Sequence, residues 1–121
     1  MRTRHLMVVK RNMKCFFNMQ VLFSKGTPYL AYVVTTSRQA LAVVQHIKPR
    51  LFLLDYRVYS INGLALYDQL HAITGLESVP AIITTTDFER RHQEIEQRHL
   101  LCLSKPFDLD VLLSSIEYLL S

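Results

Sequence analysis

The sequence predicts an α/β fold, a parallel sheet with helices packed on both faces. Three observations predict it. Five short apolar runs alternate with five stretches of helical periodicity, each strand–helix unit taking about 20–25 residues. The 121 residues suit one domain with one core, spanning 1–121, and no repeat, linker or low-complexity segment interrupts them. The run LFLLD (51–55) places four apolar residues directly before a carboxylate, Asp55. A short continuous apolar run bounded by turn signals reads as a strand buried on both faces. Open parallel sheets carry their working groups just beyond the carboxyl ends of such strands.

Residues 5–9 (HLMVV) read as the first strand, ending at Lys10. Residues 12–25 (NMKCFFNMQVLFSK) read as a helix that Asn12 can cap and Gly26 can end. Its apolar residues run nearly all the way round. Phe16 and Phe17 are adjacent and can hardly face one core, so one is either a surface contact or part of an unusually greasy helix. Thr27-Pro28 opens the second strand, 29–34, rich in β-branched and aromatic residues. Residues 35–37 cap a helix over 38–47, with Ala40, Leu41, Val44 and Ile47 at helical spacing and Lys48-Pro49 as its stop. The third strand is 51–54.

A loop closes at Asn62-Gly63, and the next helix carries Leu64, Tyr67, Leu70, His71 and Ile73 before Gly75 ends it. Pro80 leads the fourth strand, AIITT, which finishes in the hydroxyls of Thr84, Thr85 and Thr86. A helix over roughly 88–98 (FERRHQEIEQR) has one apolar anchor, Ile95, so it buries little and is free to shift. Residues 100–103 form the fifth strand and 104–107 a turn. The last helix starts from Asp108 as N-cap and runs to the end, with Val111, Leu112, Ile116, Leu119 and Leu120 as its buried stripe.

Half of the chain is hydrophobic, which supports a core and argues against disorder. No apolar run approaches the roughly 18–20 residues needed to span a bilayer, and the basic start has only a four-residue apolar run, too short for a secretory segment. Cys15 and Cys102 both lie in apolar elements and read as buried reduced thiols of a cytoplasmic protein, not a disulfide. The net charge of +4 conceals an asymmetry: residues 1–54 hold nine Lys/Arg and no acid, while the remainder holds five Lys/Arg and all ten acids. Such a split suits an anion or nucleic-acid binder that uses the basic half. No basic cluster exceeds Lys10-Arg11, however, and charges scattered over one compact domain mix in space, so nucleic acid is not the expected partner.

Asp55 is a candidate nucleophile, metal ligand or ion-pair partner. His92, His99 and Cys102 match no standard zinc spacing and have no clear fourth ligand. Thr84–Thr86 with His71 or His92 lack a nucleophile elbow, so the hydroxyls are expected to bond locally. Three glycines in the whole chain leave no phosphate-cradling loop. An enzyme is not expected.

Asp55 after the third strand, a hydroxyl ending the fourth and Lys105-Pro106 after the fifth coincide in order. With LFLLD (51–55), Asn62-Gly63-Leu64, VPAIITTT (79–86) and LSKPFD (103–108), the chain resembles the receiver domain of two-component response regulators over essentially its whole length. The resemblance implies a flavodoxin-like (βα)5 doubly wound sheet of strand order 2-1-3-4-5. It implies that Asp55 corresponds to the phosphoacceptor, Thr85 to the switch hydroxyl and Lys105 to the phosphate-binding lysine. It also implies a protein partner, a histidine kinase, an effector or a second copy, on the face of the fourth helix, fifth strand and fifth helix.

The chain departs from that pattern. Lys10 and Arg11 stand where the family has its acidic magnesium-binding pair. Arg57 follows the acceptor by two residues, Tyr59 replaces a proline, Asn62 an aspartate, and Cys102 the aromatic switch residue three before the lysine. The segment around the fourth helix is about two residues short of what the resemblance implies. At ~4–6 Å, each like-charge contact with a divalent cation costs on the order of 1–4 kcal/mol, so magnesium binding is expected to be lost and no cofactor is expected. Lys10 can instead pair with Asp55. The expected function is an atypical signalling receiver that acts by protein–protein interaction, with phosphorylation at Asp55 impaired or absent. Two alternatives are a conventional phospho-accepting regulator and an anion or nucleic-acid binder. The last helix ends the chain, so no output domain is expected within it.

Overall fold

The computed structural model describes residues 4–11, 29–58 and 61–121. The helix expected over 12–25, with Cys15, Phe16 and Phe17, lies outside the described residues, as do Thr27-Pro28 and Tyr59. Five strands, β1 (Arg4–Val9), β2 (Tyr29–Val34), β3 (Leu51–Asp55), β4 (Ala81–Thr85) and β5 (Leu101–Ser104), form one sheet in the order β2-β1-β3-β4-β5. Every pairing is parallel. The expected strand order and fold class are therefore found. Helices Ser37–Val43, Gly63–His71, Phe88–Glu96 and Leu109–Leu120 connect or follow the strands.

Alternation along the strands divides the core. Met7, Val9, Phe52, Leu54 and Ile83 pack with Ala40, Leu66, Leu70 and Ile95, which belong to the 37–43, 63–71 and 88–96 helices. Leu6, Val8, Leu51, Leu53 and Ile82 pack on the opposite face against Leu112 and Ile116 of the 109–120 helix. Successive strand side chains point to opposite faces. A strand covered on both sides must then be apolar at every position, which explains LFLL and the complete burial of β3. Among the described residues, no helix is long and apolar enough to cross a membrane.

Helix ends differ from expectation for local reasons. The helix expected over 38–47 ends at Val43. The backbone then tightens, with Gln45 N–H donating to Ala42 O at 3.2 Å and His46 N–H to Val43 O at 3.0 Å, the narrower turn in which helices often close. The helix expected to 98 ends at Glu96. His99 adopts a left-handed φ of 59°, and Leu100 N–H reaches back to Ile95 O at 3.4 Å, a helix stop more often built on glycine. Val111 does not join the buried stripe. It is 46% exposed, while Leu112 and Ile116 carry the burial and Leu119 and Leu120 are partly buried. Asp108 holds the N-cap position, but its side chain makes no capping bond.

The loop after Asp55 is pinned to the sheet. Asn62 Oδ1 accepts the Ala65 N–H at 2.8 Å, Arg57 bridges Asn62, and Gly63 N–H donates to Tyr56 O at 2.7 Å. Gly63 sits so close to β3 that a Cβ there would lie 2.3 Å from the Asp55 carbonyl oxygen. The 63–71 helix therefore starts directly against the strand end that carries the site. Replacing Asn62 with Ala removes the cap and is expected to lower stability by about 1 kcal/mol. Gly63→Ala is expected to lower it by about 3 kcal/mol, because the obstructing atom is backbone. Urea denaturation checks both, and an unchanged midpoint for Gly63→Ala would contradict the close approach.

Candidate functional site

The parallel strands bring their carboxyl ends to one edge of the sheet, and a concavity of about 170 Å³ opens there. Its lining is Arg11, following β1; Asp55, Tyr56 and Arg57 at the end of β3; Thr84, Thr85 and Thr86 at the end of β4; and Lys105 after β5. Six of these, Asp55, Thr85, Lys105, Arg11, Arg57 and Thr86, are candidates from the sequence. Lys10 is next to the site in the chain and 3% exposed, and its backbone N–H donates to Val34 O at 3.0 Å. Cys102 is placed differently. It pairs with Ile83 across β4 and β5, packs against the core that contains Ile95, and has its thiol pKa pushed up by burial and then by Glu96.

Asp55 is 2% exposed. An isolated buried carboxylate is costly, so its oxygens need donors. Oδ1 accepts the Thr84 hydroxyl at 2.7 Å and is in an ion pair with the Lys105 ammonium. Oδ2 accepts the backbone N–H of Arg11 at 2.9 Å. Lys105 is fixed in turn by its backbone N–H, which donates to Thr85 O at 2.8 Å. The carboxylate thus joins β1, β3, β4 and the segment after β5.

Thr84 enters the sequence reading only within the Thr84–Thr86 run, whose hydroxyls are expected to bond locally; it bonds instead across the sheet to Asp55. The register pairs Asp55 with Thr84, and cross-strand partners share a face of the sheet. Thr85, one residue on, points to the other face. It is 4% exposed, and its Oγ1 accepts the Asp87 N–H at 2.9 Å. The signal that could have found Thr84 is this alternation, counted from a strand pairing the sequence does not state. Tyr56 was missed as well. Its hydroxyl donates to Glu94 Oε1 at 2.6 Å, and burial, then Glu94, raises its pKa above the usual phenol range.

His71 and His92 have local partners. A His71 ring nitrogen lies 2.8 Å from Val79 O, and His92 Nδ1 lies 2.9 Å from Phe88 O. Among the described residues, no group of three His, Cys, Asp or Glu side chains could hold a metal ion.

This architecture defines a doubly wound, flavodoxin-like α/β domain with a carboxylate-centred site at the strand ends. The chain belongs to the response regulator receiver domain family, whose profile matches residues 7–117. Solved structures share the fold. A sensor protein from Polaromonas sp. JS666 has a TM-score of 0.84 at 15% identity, with 97% of this chain and 95% of that one covered. A CheY-like response regulator receiver domain from Methylobacillus flagellatus has 0.83 at 17% identity, covering 96% and 98%. The receiver domain of the sensor histidine kinase PA1611 from Pseudomonas aeruginosa PAO1, with a magnesium ion coordinated in its active site cleft, has 0.83 at 18% identity, covering 97% of each chain. No curated protein sequence matches significantly. Family membership places the chain in two-component signal transduction, among signalling modules that interact with histidine kinases or effectors.

Thr84→Val keeps the shape of the side chain and takes a hydrogen bond from a buried charged group. It is expected to lower stability by about 2 kcal/mol, read as a reduced urea midpoint. A neutral result would contradict the role assigned to this hydroxyl.

Proposed function

We propose that this chain is an atypical receiver module, one domain over residues 1–121, that signals through protein–protein interaction and not through ordinary phosphorylation of Asp55. The observation that carries this reading is the state of the carboxylate. Both oxygens of Asp55 already accept donors from the chain itself: the Lys105 ammonium, the Thr84 hydroxyl and the Arg11 N–H. Among the described lining residues Asp55 is the sole carboxylate, against Arg11, Arg57 and Lys105, with Lys10 beside them in the chain. Magnesium takes oxygen ligands in a near-octahedral shell and is bound through one or two carboxylates. A single carboxylate with its oxygens engaged, among cationic side chains, does not fit that ion. Magnesium binding is lost on this reading, and no other cofactor or catalytic residue is assigned.

The partner face we assign is the 88–96 helix, β5 and the 109–120 helix, for a histidine kinase, an effector or a second copy. Val111 and Tyr118 are 46% and 74% exposed there, and with Leu101, Asp110, Ser114 and Ser115 they line a shallow groove of about 440 Å³. β5 is also an edge strand of the sheet, and uncovered edges invite pairing. A cytoplasmic location follows from the same family role.

A conventional phospho-accepting regulator is the second reading. It is favoured by Asp55, Thr85 and Lys105 lining one concavity, the three positions that correspond to acceptor, switch hydroxyl and phosphate-binding lysine. Mass spectrometry after acetyl phosphate treatment, with and without magnesium, on the natural chain and Asp55→Asn separates the two. The proposal expects no phosphoryl mass gain in either condition. A magnesium-dependent gain that Asp55→Asn abolishes would establish the conventional reading.

A further inference from the structure

Tyr56 directly follows Asp55, and its backbone is held on two sides. Its N–H donates to Thr84 O at 2.8 Å, and its carbonyl accepts the Gly63 N–H at 2.7 Å. The phenol is 9% exposed and reaches the 88–96 helix, where its hydroxyl donates to Glu94 Oε1 at 2.6 Å. The Arg91 guanidinium lies over the same ring, 4.6 Å from its centroid, and Arg91 also pairs with Glu94 at 3.7 Å. Arg98 extends the set, with Nη1 donating to Glu94 O at 3.2 Å while Nε and Nη2 grip the Asp68 carboxylate at 3.3 and 3.2 Å.

The 88–96 helix needs such attachments. Ile95 is its one buried residue, and a helix with so little apolar burial has a low cost of local opening. A rigid ring anchored to the strand that ends in Asp55 is therefore positioned to set where this helix sits. We propose that Tyr56 is a positioning residue that couples the Asp55 site to the 88–96 helix through Glu94 and Arg91, so that a change at the carboxylate is felt at that helix. Coupling of this kind needs an element with two arrangements that both sites bias; the weakly buried helix is that element. A phenol is protonated, and so able to donate, across the neutral range, and burial and then Glu94 push its pKa further up. The coupling does not depend on whether Asp55 accepts a phosphoryl group or binds a metal, so it stands or falls apart from the function proposed above.

The test is a double-mutant cycle read by hydrogen exchange on the full chain. Asp55→Asn perturbs the site, and Tyr56→Phe keeps the ring and removes only the hydroxyl. Exchange is measured over 89–98, with the 109–120 helix on the opposite face as internal reference. Asp55→Asn is expected to change exchange over 89–98 by at least threefold with Tyr56 present. With Phe at 56 the change should be less than half as large on a logarithmic scale. Thr84→Val, which acts on the same carboxylate, replaces Asp55→Asn if that variant does not fold. Equal changes in both backgrounds, or none over 89–98 with Tyr56 present, would overturn the proposal.

Discussion

The arrangement depends on one buried negative charge. Asp55 sits at the end of a strand enclosed on both faces, and a carboxylate in that place is tolerable only when its oxygens are bonded. Lys105, Thr84 and the Arg11 N–H supply those bonds from three separate segments of the chain. The carboxylate is thereby the point at which β1, β3, β4 and the turn after β5 meet. Removing one partner of such a buried pair typically costs about 3–5 kcal/mol, comparable with a large part of a small domain's stability. Substitutions at the site are therefore expected to affect stability as well as any signalling role. Gly63 contributes in the same way, since only a residue without Cβ lets the 63–71 helix begin against Asp55.

On the proposed reading, the same charge logic sets this chain apart from receivers that bind magnesium. A magnesium site gathers carboxylates around a hard cation, whereas the oxygens of Asp55 accept from the Lys105 ammonium, the Thr84 hydroxyl and the Arg11 backbone N–H. The neighbourhood of Asp55 is balanced by lysine and by backbone and hydroxyl dipoles, and arginines form the rim. An anion suits that rim better than a cation does. Tyr56 carries the strand end outward to Glu94 and Arg91, the contacts on which the proposed coupling rests.

The fold was legible because burial on both faces writes itself as unbroken apolar runs. The boundaries of all five strands were recovered to within a residue or so, and order 2-1-3-4-5 came from the resemblance of LFLLD, VPAIITTT and LSKPFD to a known family. Helix ends were less legible. Val43 and His99 end or reverse their helices through local backbone bonds that periodicity does not encode, and Val111 looked like core by spacing yet faces out. At the site, Asp55, Thr85, Lys105, Arg11, Arg57 and Thr86 could be placed together through the family resemblance, since each ends or follows a strand. Thr84 could not, since its role depends on register, and register is a relation between two strands. Tyr56 and Glu94 lie 38 residues apart, and nothing local in either segment announces the bond between them.

The proposed loss of the metal site at Asp55 rests on the basic residues Lys10 and Arg11. The most direct measurement is calorimetric titration of magnesium into the natural chain beside a Lys10→Asp, Arg11→Asp variant that restores the acidic pair. No saturable binding by the natural chain is expected below the millimolar range, with measurable binding by the variant. Saturable submillimolar binding by the natural chain would contradict the proposed loss.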